Sequence, residues 1–191
     1  MRCWDKFKET MNHEMKDVDI NLSKKGYKFD GQNGIKKSIK VDQYKSVDYI
    51  ADKCASLVEF SDLYRDRYGI DNKIEEVSNS NLSEDSIRMI VRDFKDKTHR
   101  DLIAKFNGSI AIITHMQKIE FCNELERYTE NNTLKKYLII IAPFFHHTIP
   151  ENKRAGLARV ISQLQNNVTS GLPQALNAKA TIIPLDKYAE Q

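Results

Sequence analysis

The feature that most constrains the fold is an unbroken apolar run near the middle of the second half, Tyr137 to Pro143, which reads YLIIIAP. A continuous apolar strand is covered on both faces, as strands of parallel sheets are. Similar short runs follow Gly108, as SIAIIT, and begin at Ala180, as ATIIPL. Helical patterns at about 118–128 and after Pro150 separate the three runs. Strand, helix, strand, helix, strand predicts a partly parallel sheet.

The first half has a different pattern. Trp4, Phe7, Met11 and Met15 follow one another at intervals of three and four, which predicts an N-terminal helix. Glycines and polar residues predict a loop from Gly26 to Gly34. Two strand-like stretches, 46–50 and 55–60, are separated by a few residues and predict a hairpin.

A long helix is predicted after this hairpin. Residues 72–83 are polar and are expected to form a loop, and apolar residues then recur at helical spacing from Ile87 to Phe106. The pair Asn107-Gly108 is expected to stop this helix, so that the run SIAIIT becomes the next strand.

The length sets the domain organisation. A chain of 191 residues can bury one core well and two only marginally. We therefore predict an N-terminal helix and basic loop extension, residues 1–43, and one α/β domain of the α+β mixed-sheet type, residues 44–191.

Composition excludes several classes of protein. No apolar run approaches the roughly 20 residues of a membrane span, and residues 1–19 are charged throughout. Cys3, Cys54 and Cys122 lack CxxC spacing, so we expect reduced thiols in the cytoplasm. The net charge is only +3, but lysines crowd residues 24–45. This stretch gives the candidate nucleic-acid contacts, Lys36, Lys37 and Lys40; the alternative is an ordinary solvated surface.

Two carboxylates carry the chemical hypothesis. The predicted hairpin puts Asp48 and Glu59 on adjacent strands, where they can share a divalent cation. Mg²⁺ prefers oxygen ligands, and phosphodiester hydrolysis uses a metal to activate water and to neutralise phosphate charge. The alternative is an ordinary hairpin whose two acids face solvent or pair with lysines.

The stretch from Val47-Asp-Tyr-Ile to Leu57-Val-Glu-Phe-Ser-Asp-Leu resembles the metal-binding core of the PD-(D/E)XK, or restriction-endonuclease-like, nuclease superfamily. The resemblance covers about residues 44–185 and implies an αβββαβ core, Mg²⁺ as cofactor and DNA as partner. It assigns Asp48 and Glu59 as metal ligands and catalytic acids. It also places Ser61 at the catalytic position where the family has a lysine.

Ser61 departs from the family pattern, because a neutral hydroxyl cannot supply the positive charge of a lysine. Lys53, Arg65 and Lys73 are nearby candidates to replace it. Three functions therefore remain open: a metal-dependent nuclease acting on DNA; a non-catalytic nuclease-fold subunit, regulator or inhibitor, for example in a defence system; and a small-molecule-binding α/β domain using the strand ends at Thr114 and Pro143.

Histidines give weaker candidates. His146 and His147 follow the strand at 137–143, and His115 follows the predicted strand at 109–114 with Glu120 near by. Adjacent histidines on an extended segment point to opposite sides, which disfavours a shared metal. No GxSxG or Walker sequence is present, so the usual hydrolase and nucleotide-triphosphatase motifs are missing.

Overall fold

The computed structural model describes residues 5–51, 56–119, 134–143 and 151–191, with residues 67, 68 and 151–157 described by their backbone alone. Within these residues, six strands form one mixed sheet in which spatial order follows chain order. The strands are β1 (Lys8–Thr10), β2 (Lys25–Lys28), β3 (Tyr49–Ala51), β4 (Ser56–Ser61), β5 (Lys135–Ile141) and β6 (Ala178–Pro184). β1 to β4 pair antiparallel, whereas β5 pairs parallel with both β4 and β6.

The described part of the chain also contains five α-helices: α1 (Ile35–Ser38), α2 (Leu63–Ser78), α3 (Glu84–Lys118), α4 (Glu151–Gly171) and α5 (Leu185–Glu190). The two helices that follow β4 begin at side-chain caps. Asp62 accepts a hydrogen bond from Arg65 N at the start of α2, and Ser83 accepts one from Ser86 N at the start of α3. Such caps satisfy amide groups that have no partner within the helix.

The sheet is covered on both faces. One core cluster joins the inner side chains of the sheet to α3 and includes Leu57, Phe106 and Ile139. A second cluster lies on the opposite face and includes Val58 and Ile140, packed beside Met11, Met15, Leu185 and Tyr188. Neighbouring residues of β5 thus belong to different clusters, as the apolar run predicts.

Several predictions from sequence are confirmed. The protein is a mixed α/β fold; the hairpin corresponds to β3 and β4, which pair antiparallel. The run at 137–143 forms β5, the helix after Pro150 is α4, and the run from Ala180 forms most of β6. Within the described residues, no helix has the length and apolar character needed to cross a membrane.

The predicted N-terminal helix is wrong. Among the described residues, a short 3-10 turn at Asp5–Phe7 leads directly into β1. Phe7 is nevertheless buried at the end of this turn, and Met11 and Met15 are buried from the non-helical segment after β1. The predicted loop at 26–34 also contains most of β2. Residues 5–43 therefore contribute two strands to the same sheet as β3 and β4.

The predicted loop at 72–83 and the predicted strand at 109–114 are also wrong. The first region is largely the end of α2, and the second lies inside α3, which continues through Asn107-Gly108. Short apolar runs do not distinguish a strand from a buried helix by periodicity. Here Ile112, Ile113 and Met116 face the core from a helix. The predicted helix at 118–128 falls mostly outside the described residues.

Candidate functional site

The site begins with the pairing of β3 and β4. Tyr49 lies opposite Val58 and Ile50 opposite Leu57. Asp48 precedes the paired Tyr49, and Glu59 follows the paired Val58. Asp48 accepts a hydrogen bond from Phe60 N, the residue after Glu59, and its carboxylate interacts electrostatically with Glu59. The hairpin thus brings together the two acids that the sequence singled out.

Glu59 is buried although it is a charged residue. Its side chain is 2% exposed, and its Oε1 accepts a hydrogen bond from Lys105 Nζ on α3. Its other oxygen, Oε2, is buried and has no hydrogen-bond partner among the described residues. Buried carboxylate oxygens are normally satisfied, so an orphaned one marks a place where a ligand can bind.

Lys105 reaches Glu59 because α3 packs closely on the segment before β3. Gly108 lies against the backbone carbonyl of Lys45, where any side chain would collide. Ser109 Oγ accepts a hydrogen bond from Val47 N at 3.0 Å and donates one to Lys105 O at 2.8 Å. These contacts hold the helix one turn beyond Lys105, which fixes where the ammonium group lies.

Burial and the nearby Asp48 carboxylate raise the pKa of Glu59 to about 8. Burial alone would lower the pKa of Lys105, but Glu59 favours the charged ammonium, and the pKa of Lys105 is raised. The pair therefore binds protons more tightly than the separated groups would. A cation that binds at Glu59 must compete with that proton, so its affinity must rise with pH.

Asp48 is held by backbone groups on both neighbouring strands. Its Oδ2 accepts a hydrogen bond from Phe60 N at 2.7 Å, and its carbonyl accepts one from Phe29 N at 2.8 Å. Burial raises the pKa of Asp48 despite the Phe60 hydrogen bond. The hydrogen bond from Phe60 N therefore fixes the position of this carboxylate.

Asp30 is a third carboxylate near the pair. It accepts a hydrogen bond from Gly31 N at 2.7 Å and lies 2.6 Å from Lys36 Nζ. Burial opposes ionisation, but Lys36 and the Gly31 amide leave the pKa of Asp30 lowered. Asp30 is thus an ionised partner of Lys36.

Two clefts meet at Asp30. A larger cleft of about 710 Å³ is lined by Glu59, Ser61 and Lys105. A second cleft of about 360 Å³ is lined by Asp48, with Asn12, His13 and Glu14 on its wall. Asp30 borders both clefts, so the two acids of the hairpin lie where the clefts adjoin.

The other predicted residues lie in different places. Ser61 lines the larger cleft, and so do Arg65 and Lys73 from α2, whereas Lys53 is outside the described residues. Lys36 lines the cleft but is 13% exposed and bound by Asp30. Lys37 pairs with Asp42, and Lys40 is exposed; neither lines the cleft.

Lys105 is the residue that sequence reasoning missed. It lies three residues after Leu102 and four before Ser109, both buried, so its position in the repeat marks a lysine on the inner face of a helix. The expected helix stop at Gly108 concealed this face. A lysine among buried positions is the signal that could have identified it, because lysine is almost never buried without a partner.

The site fits a hard cation in donor chemistry. Carboxylate oxygens are the ligands Mg²⁺ prefers, and one or two of them suffice when water and phosphate complete the coordination. Glu59 Oε2 has no hydrogen-bond partner among the described residues, and Asp48 is held in place by the hydrogen bond from Phe60 N, so the two carboxylates can supply such oxygens. Within the part of the chain that the structure describes, no group of three or more histidine, cysteine, aspartate or glutamate side chains is arranged to hold a metal.

Of the histidines predicted to form a site, only His115 lies in the described residues, and its position does not support that prediction. His115 lies in the last turn of α3 and does not follow a strand, so the expected site at the strand end near Thr114 is wrong. Glu120, His146 and His147 lie outside the described residues, as do the three cysteines.

No protein-family model, no curated protein and no solved structure matches this chain.

Proposed function

We propose that the chain is a metal-dependent phosphodiesterase acting on nucleic acid, with a restriction-endonuclease-like core. Asp48 and Glu59 would hold Mg²⁺, and Lys105 would supply the positive charge that the family has at the position of Ser61. The observation that carries this proposal is the buried oxygen of Glu59 that has no partner within the described residues, beside the Lys105 ammonium group on the wall of a cleft.

The order of elements supports the proposed core. An acid precedes β3, another acid lies in β4, helices follow, and β5 returns parallel to β4. The superfamily that the sequence resembles has the same succession of hairpin, helix and strand. DNA and Mg²⁺ enter the proposal through this resemblance.

The two carboxylates, Lys105 and Ser61 have different roles in the proposed chemistry. Mg²⁺ bound at the carboxylates would activate water and neutralise charge on the phosphate. Lys105 can stabilise negative charge that develops on the phosphate oxygens, because its ammonium group is fixed at the cleft by Glu59 and by the docking of α3. Ser61 lines the same cleft and leaves room for the helix-borne lysine.

A second candidate is a non-catalytic protein with this fold that acts through protein contacts. One observation favours it: the acids already have partners, since Glu59 binds Lys105 and Asp48 accepts from Phe60 N. An ion pair that only stabilises the fold would have the same geometry. Activity is therefore the deciding measurement.

The test is cleavage of plasmid DNA and of single-stranded RNA by the purified full chain with Mg²⁺ or Mn²⁺, beside Glu59→Gln and Asp48→Asn. We expect cleavage by the wild type that both substitutions abolish. In parallel, Mg²⁺ should raise the unfolding temperature of the wild type but not of Glu59→Gln, because a ligand bound only by the native state stabilises it. A folded wild type that neither cleaves nor responds to either metal would refute the proposal.

A further inference from the structure

The larger cleft has walls of different character. One wall is the turn before β3, residues 42–46, and the other is formed by α2 and the first half of α3. Among the described residues from 71 to 101, none is buried, so this helical hairpin extends away from the core. The cleft thus runs from the buried Glu59 outward along the hairpin.

The cations of the two walls differ in whether they are already neutralised. On the turn side, Lys36 pairs with Asp30 and Lys45 with Asp101, each at 2.6 Å. On the helical side, three exposed cations form no ion pair within the described residues: Arg65, Lys73 and Lys97. The Asp66 carboxylate lines the same cleft and interacts electrostatically with Lys97 and Arg65, but no ion pair has to be broken for a phosphate to bind these cations.

The α2 cations are arranged along the cleft. Arg65, Gly69 and Lys73 follow at intervals of four and all line it. Eight residues of helix separate the two charges by about 12 Å along its axis. Gly69 between them has open space around its Cα, although a glycine inside an exposed helix costs about 1 kcal/mol relative to alanine. A missing side chain between two cations lets a linear polyanion approach the helix.

An exposed aromatic ring faces these cations from the other wall. Tyr44 lines the cleft and is 41% exposed. Its backbone is fixed, since its N–H donates to Val41 O and its carbonyl accepts from Lys36 Nζ. An aromatic ring across a cleft from exposed cations is an arrangement that suits single strands, because an unpaired base exposes a face on which the ring can stack.

We propose that this cleft binds single-stranded nucleic acid, with a base stacked on Tyr44 and successive phosphates on Arg65, Lys73 and Lys97. This inference rests on the proposed function, since it is the strand bound along the cleft that brings a phosphate to Glu59 and Lys105. In this proposal the phosphate groups contact cations of the helical hairpin, whereas the sequence had suggested Lys37 and Lys40 for this role.

The test is fluorescence anisotropy of labelled oligothymidylate, oligouridylate and a duplex of equal length, with the full chain in EDTA. We expect single strands to bind more tightly than the duplex. Tyr44→Ala should weaken single-strand binding about ten-fold, the middle of the range for loss of one stacked base. Tyr44→Phe should bind like the wild type, because it keeps the ring.

The proposed phosphate contacts of Lys73 and Lys97 are tested by the salt dependence of oligonucleotide binding. Lys73→Ala and Lys97→Ala should each lower the slope of log affinity against log salt by about 0.7, the value for one phosphate on a single strand. Lys95→Ala is the matched control for Lys97→Ala, since Lys95 is also exposed on α3 but lines a different cleft. Lys37→Ala should also leave binding unchanged.

Three results would overturn the inference: equal or tighter binding of the duplex, no effect of Tyr44→Ala, or competition by polyglutamate as strong as by oligothymidylate, which would indicate an acidic protein partner. Its failure is distinguishable from failure of the proposed function. Binding that depends on Tyr44 but is not accompanied by metal-dependent cleavage would refute the nuclease proposal and support the binding site. Cleavage of duplex DNA without a preference for single strands would support the nuclease proposal and refute the binding site.

Discussion

Lys105 on α3 donates a hydrogen bond to Glu59 on β4, although 46 residues separate them in the sequence. The nucleases that the sequence resembles carry their lysine two residues after the second acid, on the same strand. In this chain that position is Ser61, and the positive charge arrives at the acid from a helix.

Lys105→Met is expected to lower the cleavage rate about 10²- to 10³-fold, the usual effect of removing one group that stabilises transition-state charge. Methionine keeps the apolar stem, so the helix should dock normally. The measurement is the initial rate of oligonucleotide cleavage at saturating Mg²⁺, with Lys95→Met as control. Wild-type cleavage by Lys105→Met would show that the lysine is purely structural.

Ser61→Lys in the Lys105→Met background tests whether the cleft requires a cation there. A lysine at 61 stands at the family's position, and residue 61 lines the same cleft as residue 105. We expect at least about ten-fold recovery of the rate lost in Lys105→Met, a small part of the effect of one such charge. Ser61→Met in the same background supplies length without charge and should recover nothing. Equal rates for the two double variants would contradict the interpretation.

The stability of the metal-free protein should depend on pH through Glu59. Its pKa is raised from 4.5 to about 8 on folding, so between these values the native state holds a proton that the unfolded chain has lost. The free energy of unfolding must therefore fall as pH rises from about 5 to 8, with a limiting slope of about 1.4 kcal/mol per pH unit.

Urea unfolding in EDTA across this range measures that slope, and Glu59→Gln is the control that removes the titrating group. The wild type should lose stability relative to Glu59→Gln as pH rises. The raised pKa of Lys105 does not interfere, because its contribution is lost only above the ordinary lysine pKa of 10.5. Parallel curves for the two proteins would show that Glu59 is ionised throughout.

Gly108→Ala is expected to destabilise the fold by about 1–3 kcal/mol, as overpacked sites do, because the added methyl group meets the Lys45 carbonyl. It should also lower cleavage, since α3 must shift and carry Lys105 with it. Gly69→Ala provides the matched control: it lies in α2 with open space around it and should gain up to about 1 kcal/mol. Urea midpoints compare the two. Equal midpoints would mean that α3 does not depend on this close contact.

The sequence predicted the elements whose patterns are local. The β3–β4 hairpin, the apolar β5 and the helix after Pro150 each follow from a few neighbouring residues. The acids Asp48 and Glu59 could be paired in advance because both belong to that hairpin. The local pattern of apolar and turn-forming residues was sufficient to predict these elements.

The errors arose where distant contacts override local preference. Glycine often follows the end of a helix, but Gly108 lies inside α3 at the point where this helix contacts Lys45, 63 residues earlier in the chain. Methionines at helical spacing near the N-terminus are buried from a non-helical segment because β1 finds a partner in β2. Neither partner is visible in the local sequence, so Lys105 could not be placed over Glu59.

The exposed turn at residues 79–83 divides the site between two stretches of chain. Asp48, Glu59 and Tyr44 precede it, and Lys97 and Lys105 follow it. Exposed turns of this kind tolerate a break in the backbone. Two fragments separated there would each carry part of the cleft, so the proposed nucleic-acid cleavage would require the fragments to reassociate. This single turn thus offers a place to convert the protein into a two-component reporter of association.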